Sequence, residues 1–449
     1  HRDGGGRLKQ AQAGARTLKS WWLQFPASLR QVVLVRLVGS VGAGGVLYLT
    51  PLVFHREAFS ATSVTTGVAL AAVTGTLGRF LSGVLLDRGL PSSLPVLLAV
   101  LAAMAGDVQL LAAETVSAYG LGQLLLGLSM GLYWPAIELA VALTAGAQGS
   151  PRGYALARTA DAVGIATGAL LGALLAALGP IRGIYRVDLV CLSVMGLMLL
   201  RLPLPAARRQ GASPAPTSAA GAPSWLAPLL PILVVSLVAT AVPALMQSAL
   251  PLDLVRGGLQ RPPMPEGLGA LLVGSQLLLL LLLQWPIGRW LADRPVHQGL
   301  RLALLAFALG AALLALSCLN AAAALLLVML AQLPLAIGLA AFLPTATQAV
   351  VELSPPSRQG VAMALFSQCF ALSAFVAPLL AGRLLDAQGH GLGVWAGLLL
   401  AMLLSLPLLG LIERHQRRRL LAVLVGADDG TGEQQECPDT LYRLGPPSS

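Results

Sequence analysis

The sequence predicts an all-α integral membrane protein of twelve spanning helices arranged as two six-helix pseudo-repeat bundles. Three observations carry that reading. The first is composition: of 449 residues, 56% are hydrophobic and 11% are charged, with a mean hydropathy of +0.78, which leaves too few charges to cover a water-soluble globule of this size. The second is length. Stretches free of Asp, Glu, Lys and Arg reach the roughly 20 residues that cross about 30 Å of hydrocarbon at about 1.5 Å per residue; examples are Ala58 to Gly78, Thr115 to Ile137, Ala162 to Ile181, Gly267 to Gly288 and Gln359 to Gly382. The third is duplication: Asp87 and Asp293, Arg88 and Arg294, and Arg152 and Arg358 are each 206 residues apart, as parallel six-helix repeats would produce.

In chain order, the first span (32–54) follows a basic segment in which Trp21-Trp22 suit a membrane interface. The second (63–86) ends at Asp87-Arg88. The third (93–113) and the Gly-rich fourth (117–142) precede "SPRGYALA", which opens the fifth (160–179). Arg182, Arg186 and Asp188 crowd the start of the sixth (184–203). Residues 204–225, "LPAARRQGASPAPTSAAGAPSW", read as a flexible linker. The seventh (226–250) and the eighth (267–287) follow, the latter ending in "GRWLADRP". An uncharged run of 50 residues, Leu302 to Val351, is too long for one crossing and divides near Ser317-Cys318-Leu319-Asn320 into the ninth (300–319) and tenth (321–351). "PPSRQGVAMA" opens the eleventh (361–385), and the twelfth (391–412) ends in a basic run. The domain expectation is therefore a cytoplasmic N-terminal segment (1–31), a first bundle (32–203), the linker (204–225), a second bundle (226–412) and a cytoplasmic, acidic, unstructured tail (413–449).

The net charge of +10 would suit nucleic acid, but its distribution argues otherwise. Outward-facing loops carry only Arg56, Arg182, Arg186, Arg256, Arg261 and Arg383, and the remaining basic residues gather near inward-facing loops and ends. This bias places both termini in the cytoplasm and the chain in the cytoplasmic membrane. The first 31 residues lack the apolar core of a secretory signal. Cys191, Cys318 and Cys369 fall inside spans and Cys437 in the tail, none with metal spacing. With no phosphate-binding loop, metal-ligand set or nucleophile triad, neither an enzyme nor a cofactor is expected.

Several motifs resemble those of the major facilitator superfamily. "GVLLDRG" (83–89) is similar to the family's loop signature between the second and third helices, and Arg152-Gly153 to its basic entry to the fifth. "GLSMGLYWP" (127–135) resembles the Gly-rich fourth helix, and "GIATGALLGA" (164–173) the fifth-helix motif associated with antiporters. There are departures. Leu90-Pro91-Ser92 replaces the basic end of the loop signature, Gly288 lies one residue farther from Asp293 than Gly83 does from Asp87, Gln123 stands where the fourth helix usually has Arg, and Ala169 where the antiporter motif has Pro. The resemblance implies a conformational latch built from Gly83, Asp87, Arg88, Asp293 and Arg294. In it Asp87 would hold a helix N-terminus of the opposite half.

An ionisable group at membrane depth is a site candidate by default. Arg36 reads either as an anchor for an anionic solute or a carboxylate, or as a side chain snorkelling to the interface. Glu138 reads as a carboxylate that loads and releases a proton while its cavity alternates between wet and closed, or as a structural partner of Arg158. Arg158 and Asp161 share a helix face, so Glu138, Arg158 and Asp161 could form a network in which one carboxylate exchanges the arginine for a proton. Asp107 is expected to be structural, near the outer interface. Gln332 and Gln348 are the likelier cavity residues among the glutamines of the second half. Gly127 with Gly131, and Gly164 with Gly168 and Gly172, lie at a spacing of four residues and suit close helix packing.

The sequence thus points to a secondary carrier that moves a small solute by alternating access. It is expected to be proton-coupled, to work as a monomer in the lipid bilayer and to export rather than import. The alternatives are an importer of an organic anion held by Arg36, or a transporter-like sensor or scaffold acting through its tail.

Overall fold

The computed structural model describes residues 22–146, 150–206, 225–292, 294–354 and 359–428. All thirteen elements among them are helices: α1 (Ala27–Arg56), α2 (Ala61–Asp87), α3 (Ser93–Ala112), α4 (Val116–Thr144), α5 (Ser150–Leu178), α6 (Gly183–Arg201), α7 (Leu230–Ala239), α8 (Ala241–Arg256), α9 (Glu266–Ala292), α10 (Val296–Cys318), α11 (Ala324–Leu353), α12 (Gln359–Gln388) and α13 (Leu392–Asp428). They supply twelve segments long and apolar enough to cross a membrane, α7 and α8 together forming the seventh.

That seventh span is divided because Pro243, in the first turn of α8, has no N–H for the carbonyl of residue 239. Thr240 sits at the joint, its hydroxyl donating to Ser236 O at 2.8 Å. The long uncharged run does divide where Asn320 stands. The helix stops at Cys318, and Asn320 Oδ1 accepts from Ala323 N at 2.9 Å before the next helix begins. Several boundaries differ from expectation, among them the start of α5, at Ser150 rather than 160, and the end of α8, at Arg256 rather than 250. Helix α1 begins at Ala27, directly after Pro26, five residues before the expected start. Helix α13 runs to Asp428, so the first part of the expected tail continues the twelfth span.

Two glycine seams set the packing of the first six helices. A Cβ at Gly168 would lie 2.0 Å from Val41 O, and one at Gly44 would lie 2.4 Å from Ile165 O. Helices α1 and α5 therefore run parallel with their backbones nearly touching, and Gly164 and Gly172 extend the seam to Ser40 and Leu49. Gly127 and Gly131 do the same for α4, against the carbonyls of Ala71 and Gly75 on α2. Across the chain's midpoint α2 meets α12 and α5 meets α9. Thr65 lies against Gly382, and Ala173 against Gly267. One end of the bundle carries Asp87 and the entrance to the linker, where Ser92 N donates to Pro205 O at 3.2 Å. It is called the linker end, and the opposite end the far end.

The seam gives a direct test. Gly168→Val drives a branched side chain into the α1 backbone and is expected to cost about 3 kcal/mol or more. Gly397→Ala, where a Cβ meets nothing within 4 Å, is expected to change unfolding in detergent little. Equal melting temperatures for the two variants would show that the seam does not hold α1 to α5.

Candidate functional site

The seam between α1 and α5 fixes which polar groups meet. Asp161 lies just before Gly164 on α5, and Ser40 and Arg36 lie at and below the level of Gly164 on α1. Arg36 Nε donates to Asp161 Oδ1 at 3.0 Å, and its Nη2 donates to Asp161 Oδ2, a two-pronged guanidinium–carboxylate pair. Nη1 donates to Glu138 Oε1 on α4 at 3.0 Å. Ser40 Oγ adds a bond to Asp161 Oδ1 at 3.2 Å. The indole of Trp134, one turn before Glu138, lies 5.3 Å from the guanidinium carbon. Tyr154 Oη reaches the main-chain carbonyl of Glu138 at 3.2 Å.

Arg36 is 1% exposed and does not snorkel. Because α1 starts at Ala27, the residue stands about 13 Å from the start of the helix. The second correction concerns Arg158. It is exposed, and the expected network forms around Arg36 in its place. Residues 158 and 161 are three apart on α5, but Gly164 presses the Asp161 face onto α1, where Arg36 takes both carboxylate oxygens. The two acids are not equivalent. The side chain of Asp161 is 12% exposed and that of Glu138 is 30% exposed, so Glu138 is the more accessible member. Two carboxyl groups share one guanidinium, and the cluster carries one negative charge more than positive when all three are ionised.

The glutamines do not join this cluster. Gln332 is buried on α11 and its Nε2 donates to Val328 O of the same helix at 3.0 Å. Gln348 is exposed and donates to Glu352 at 2.7 Å, so it is not a buried cavity residue. The sequence reading missed Ser40, Trp134 and Tyr154. Their spacings, Ser40 one turn after Arg36 and Trp134 one turn before Glu138, could have marked them. Between α2, α7 and α12 lies a cleft of about 610 Å³ lined by apolar side chains such as Val73, Leu77, Leu237, Leu372 and Phe375, with Thr76 and Gln368 as polar exceptions.

At the far end two arginines close the bundle by the same device. Arg56, ending α1, donates to the carbonyls of Ala176 (3.0 Å) and Gly179 (2.7 Å) at the end of α5, and to Glu266 at the start of α9 (2.6 Å). Arg256, ending α8, donates to Leu385 O (3.2 Å) and Asp386 (2.9 Å) on α12. Asp386 in turn accepts from Ala61 N (3.0 Å) and Thr62 N (2.7 Å), which open α2. Each arginine thus reaches carbonyl oxygen near one helix end, and each bridge puts a carboxylate on the positive N-terminus of a helix at the contact between the halves. The linker end is different. Asp87 and Arg88 are exposed, a Cβ at Gly83 would meet nothing within 4 Å, and Arg294, just after α9, stacks on Trp290 near the end of that helix at 3.9 Å. Asp293 and Arg358 lie outside the described residues. The latch residues that are described make no bond to the opposite half.

No protein-family model and no curated protein sequence matches the chain. Solved structures do. A mutant form of the nucleoside transporter NupG superposes with a TM-score of 0.75 at 13% identity, over 86% of this chain and 99% of its own. A POT family transporter in complex with 5-aminolevulinic acid gives 0.72 at 11% identity over 88% and 96%. The peptide transporter POT, also in a mutant form, gives 0.69 at 16% over 87% and 95%. The chain has the fold these transporters share, that of the major facilitator superfamily, and it is a multi-pass membrane protein.

The far-end bridges generate a measurable expectation. In a background without native cysteines, Asp386→Asn is expected to raise severalfold the reactivity of Thr65→Cys toward a membrane-impermeant thiol reagent added from the far side. Unchanged labelling would mean that the bridge does not hold that end shut.

Proposed function

We propose that this protein is a secondary carrier that moves a small solute across the cytoplasmic membrane by alternating access, with protons as the coupling ion and export as the direction. The observation that carries the reading is the cluster of two carboxyl groups on one buried arginine, with Glu138 exposed enough to exchange a proton. The fold shared with nucleoside and peptide transporters supports the carrier role.

In this reading both termini are cytoplasmic, the linker end faces the cytoplasm, and the closed far end faces outward. Asp161 and Ser40 hold Arg36 in place through the cycle. Protonation of Glu138 removes one of its two ionic claims on Arg36, and the cluster becomes neutral as a whole. A neutral cluster crosses the closed, water-free intermediate more readily than a charged one, so a proton or a cationic solute moiety is needed for the turnover step. Arg36 is already spent on its carboxylates, which argues against import of an organic anion bound there. The apolar lining between α2, α7 and α12 favours a solute with substantial apolar surface. Closure of the linker end would bring Asp87 to the N-terminal region of α12, as the latch expectation requires.

The test is reconstitution into liposomes carrying an internal pH dye, challenged with nucleosides, short peptides and amphipathic organic cations. Glu138→Gln is expected to abolish gradient-driven movement while preserving solute exchange without a gradient, and Asp161→Asn to impair both. If both variants transport as the wild type does, the coupling assignment is wrong. If no member of the panel moves in the wild type and no proton flux accompanies it, the carrier reading itself fails.

A further inference from the structure

A second pair of carboxyl groups lies in the first six helices, outside the Arg36 cluster and unused by the transport reading. Asp107 on α3 is 0% exposed and Asp188 on α6 is 4% exposed. The two side chains face each other within hydrogen-bonding reach. Both oxygens of Asp107 and Oδ1 of Asp188 have no donor.

The neighbouring arginines and the tyrosine hydroxyl are not bonded to the pair. From α6, Tyr185 spends its hydroxyl on Thr50 Oγ1 at 3.1 Å. Cys191, a half-buried free thiol on the same helix, is the other titratable group beside Asp188. Arg182, at the start of α6, is committed to Leu111 O (2.7 Å), Ala113 O (2.7 Å) and Glu57 (2.9 Å). Arg186 is exposed. From α4, Gly122 and Leu126 pack on Gly106, next to Asp107. From α1 comes Gly42, where a Cβ would stand 2.0 Å from Asp188 Oδ1, so backbone closes the site on that side.

We propose that Asp107 and Asp188 form a proton-binding site in which at least one proton is held between the two carboxyl groups. Two ionised carboxylates buried side by side, with no counter-charge bonded to them, repel one another and are poorly solvated. One proton taken from water turns that repulsion into a hydrogen bond, one carboxyl donating and the other accepting, and leaves a single negative charge on the pair. A hard metal cation fits poorly. It would want about six oxygen ligands, whereas Gly42 crowds the site and the Tyr185 hydroxyl is already bonded. Loss of the proton would place two like charges between α3 and α6 beneath α1, the helix that carries Arg36. The occupancy of the pair thereby bears on how firmly α1 is held.

Infrared difference spectroscopy of the purified wild type in heavy water at neutral pH reads the proton directly. A protonated-carboxyl stretch is expected. It should be retained in Glu138→Gln/Asp161→Asn and lost in Asp107→Asn/Asp188→Asn, so the outcome does not depend on the coupling role of the Arg36 cluster. A spectrum unchanged by the second double variant would overturn the proposal. Should that variant fail to fold, Asp107→Asn alone decides. Its amide can donate to Asp188 in place of the proton, so its melting temperature should exceed that of the wild type at alkaline pH and approach it at acidic pH. A variant that melts at or below the wild type at every pH contradicts the shared proton. A wild type stabilised by sodium at fixed ionic strength, rather than by acid, contradicts it as well and identifies a metal-cation site.

Discussion

A charge in hydrocarbon must bring its neutralising partner with it, and Arg36 is where that requirement organises this molecule. The guanidinium is 1% exposed, and two carboxylates answer its charge: Asp161 on α5, itself bonded by Ser40, and Glu138 on α4. The bonds to Asp161 depend on the glycine seam that lets α1 and α5 touch along their backbones. The seam and this ion pair are two aspects of one constraint, since a bulkier residue at Gly164 or Gly168 would separate the charges that must meet. Burial of such a pair is a weak source of stability, because desolvation offsets much of the attraction. Its consequence is that Glu138, the more accessible acid, stands beside a fixed positive charge.

The two ends of the bundle divide the work. At the far end, Arg56 and Arg256 reach carbonyls near the ends of α5 and α12, and carboxylates sit at the N-termini of α9 and α2. The same device is used in both halves. At the linker end Asp87 and Arg88 face solvent, and the described latch residues make no bond to the opposite half. A far end bridged between the halves and a linker end without such bridges suit the proposed alternating access. The unpartnered carboxyl pair at Asp107 and Asp188 adds a second titratable element on the other side of α1.

The helices were legible in the sequence because uncharged runs of spanning length have one structural solution in a bilayer. Even the division of the 50-residue run at Asn320 could be read, since an Asn that caps a helix start leaves a local signal. The pairing of charges was not legible to the same degree. Spacing along one helix linked Arg158 with Asp161, but the structural partner of Asp161 is 125 residues away, chosen by which helix faces meet. Asp107 and Asp188 show the same limit: Asp107 reads as a structural residue and Asp188 as part of the crowded start of the sixth span, and their meeting between α3 and α6 was not legible. The start of α1 differed as well. The helix begins five residues earlier than expected, and Arg36 turns to Asp161 and Glu138 rather than toward the helix end.

The claim that Arg36, rather than Arg158, is the counter-charge of the cluster is tested most directly by double-mutant cycles on unfolding free energy in detergent. Arg36→Gln with Asp161→Asn should show a coupling of about 1 to 3 kcal/mol, and Arg158→Gln with Asp161→Asn one below about 0.5 kcal/mol. Coupling of Asp161 to Arg158 but not to Arg36 would contradict the account.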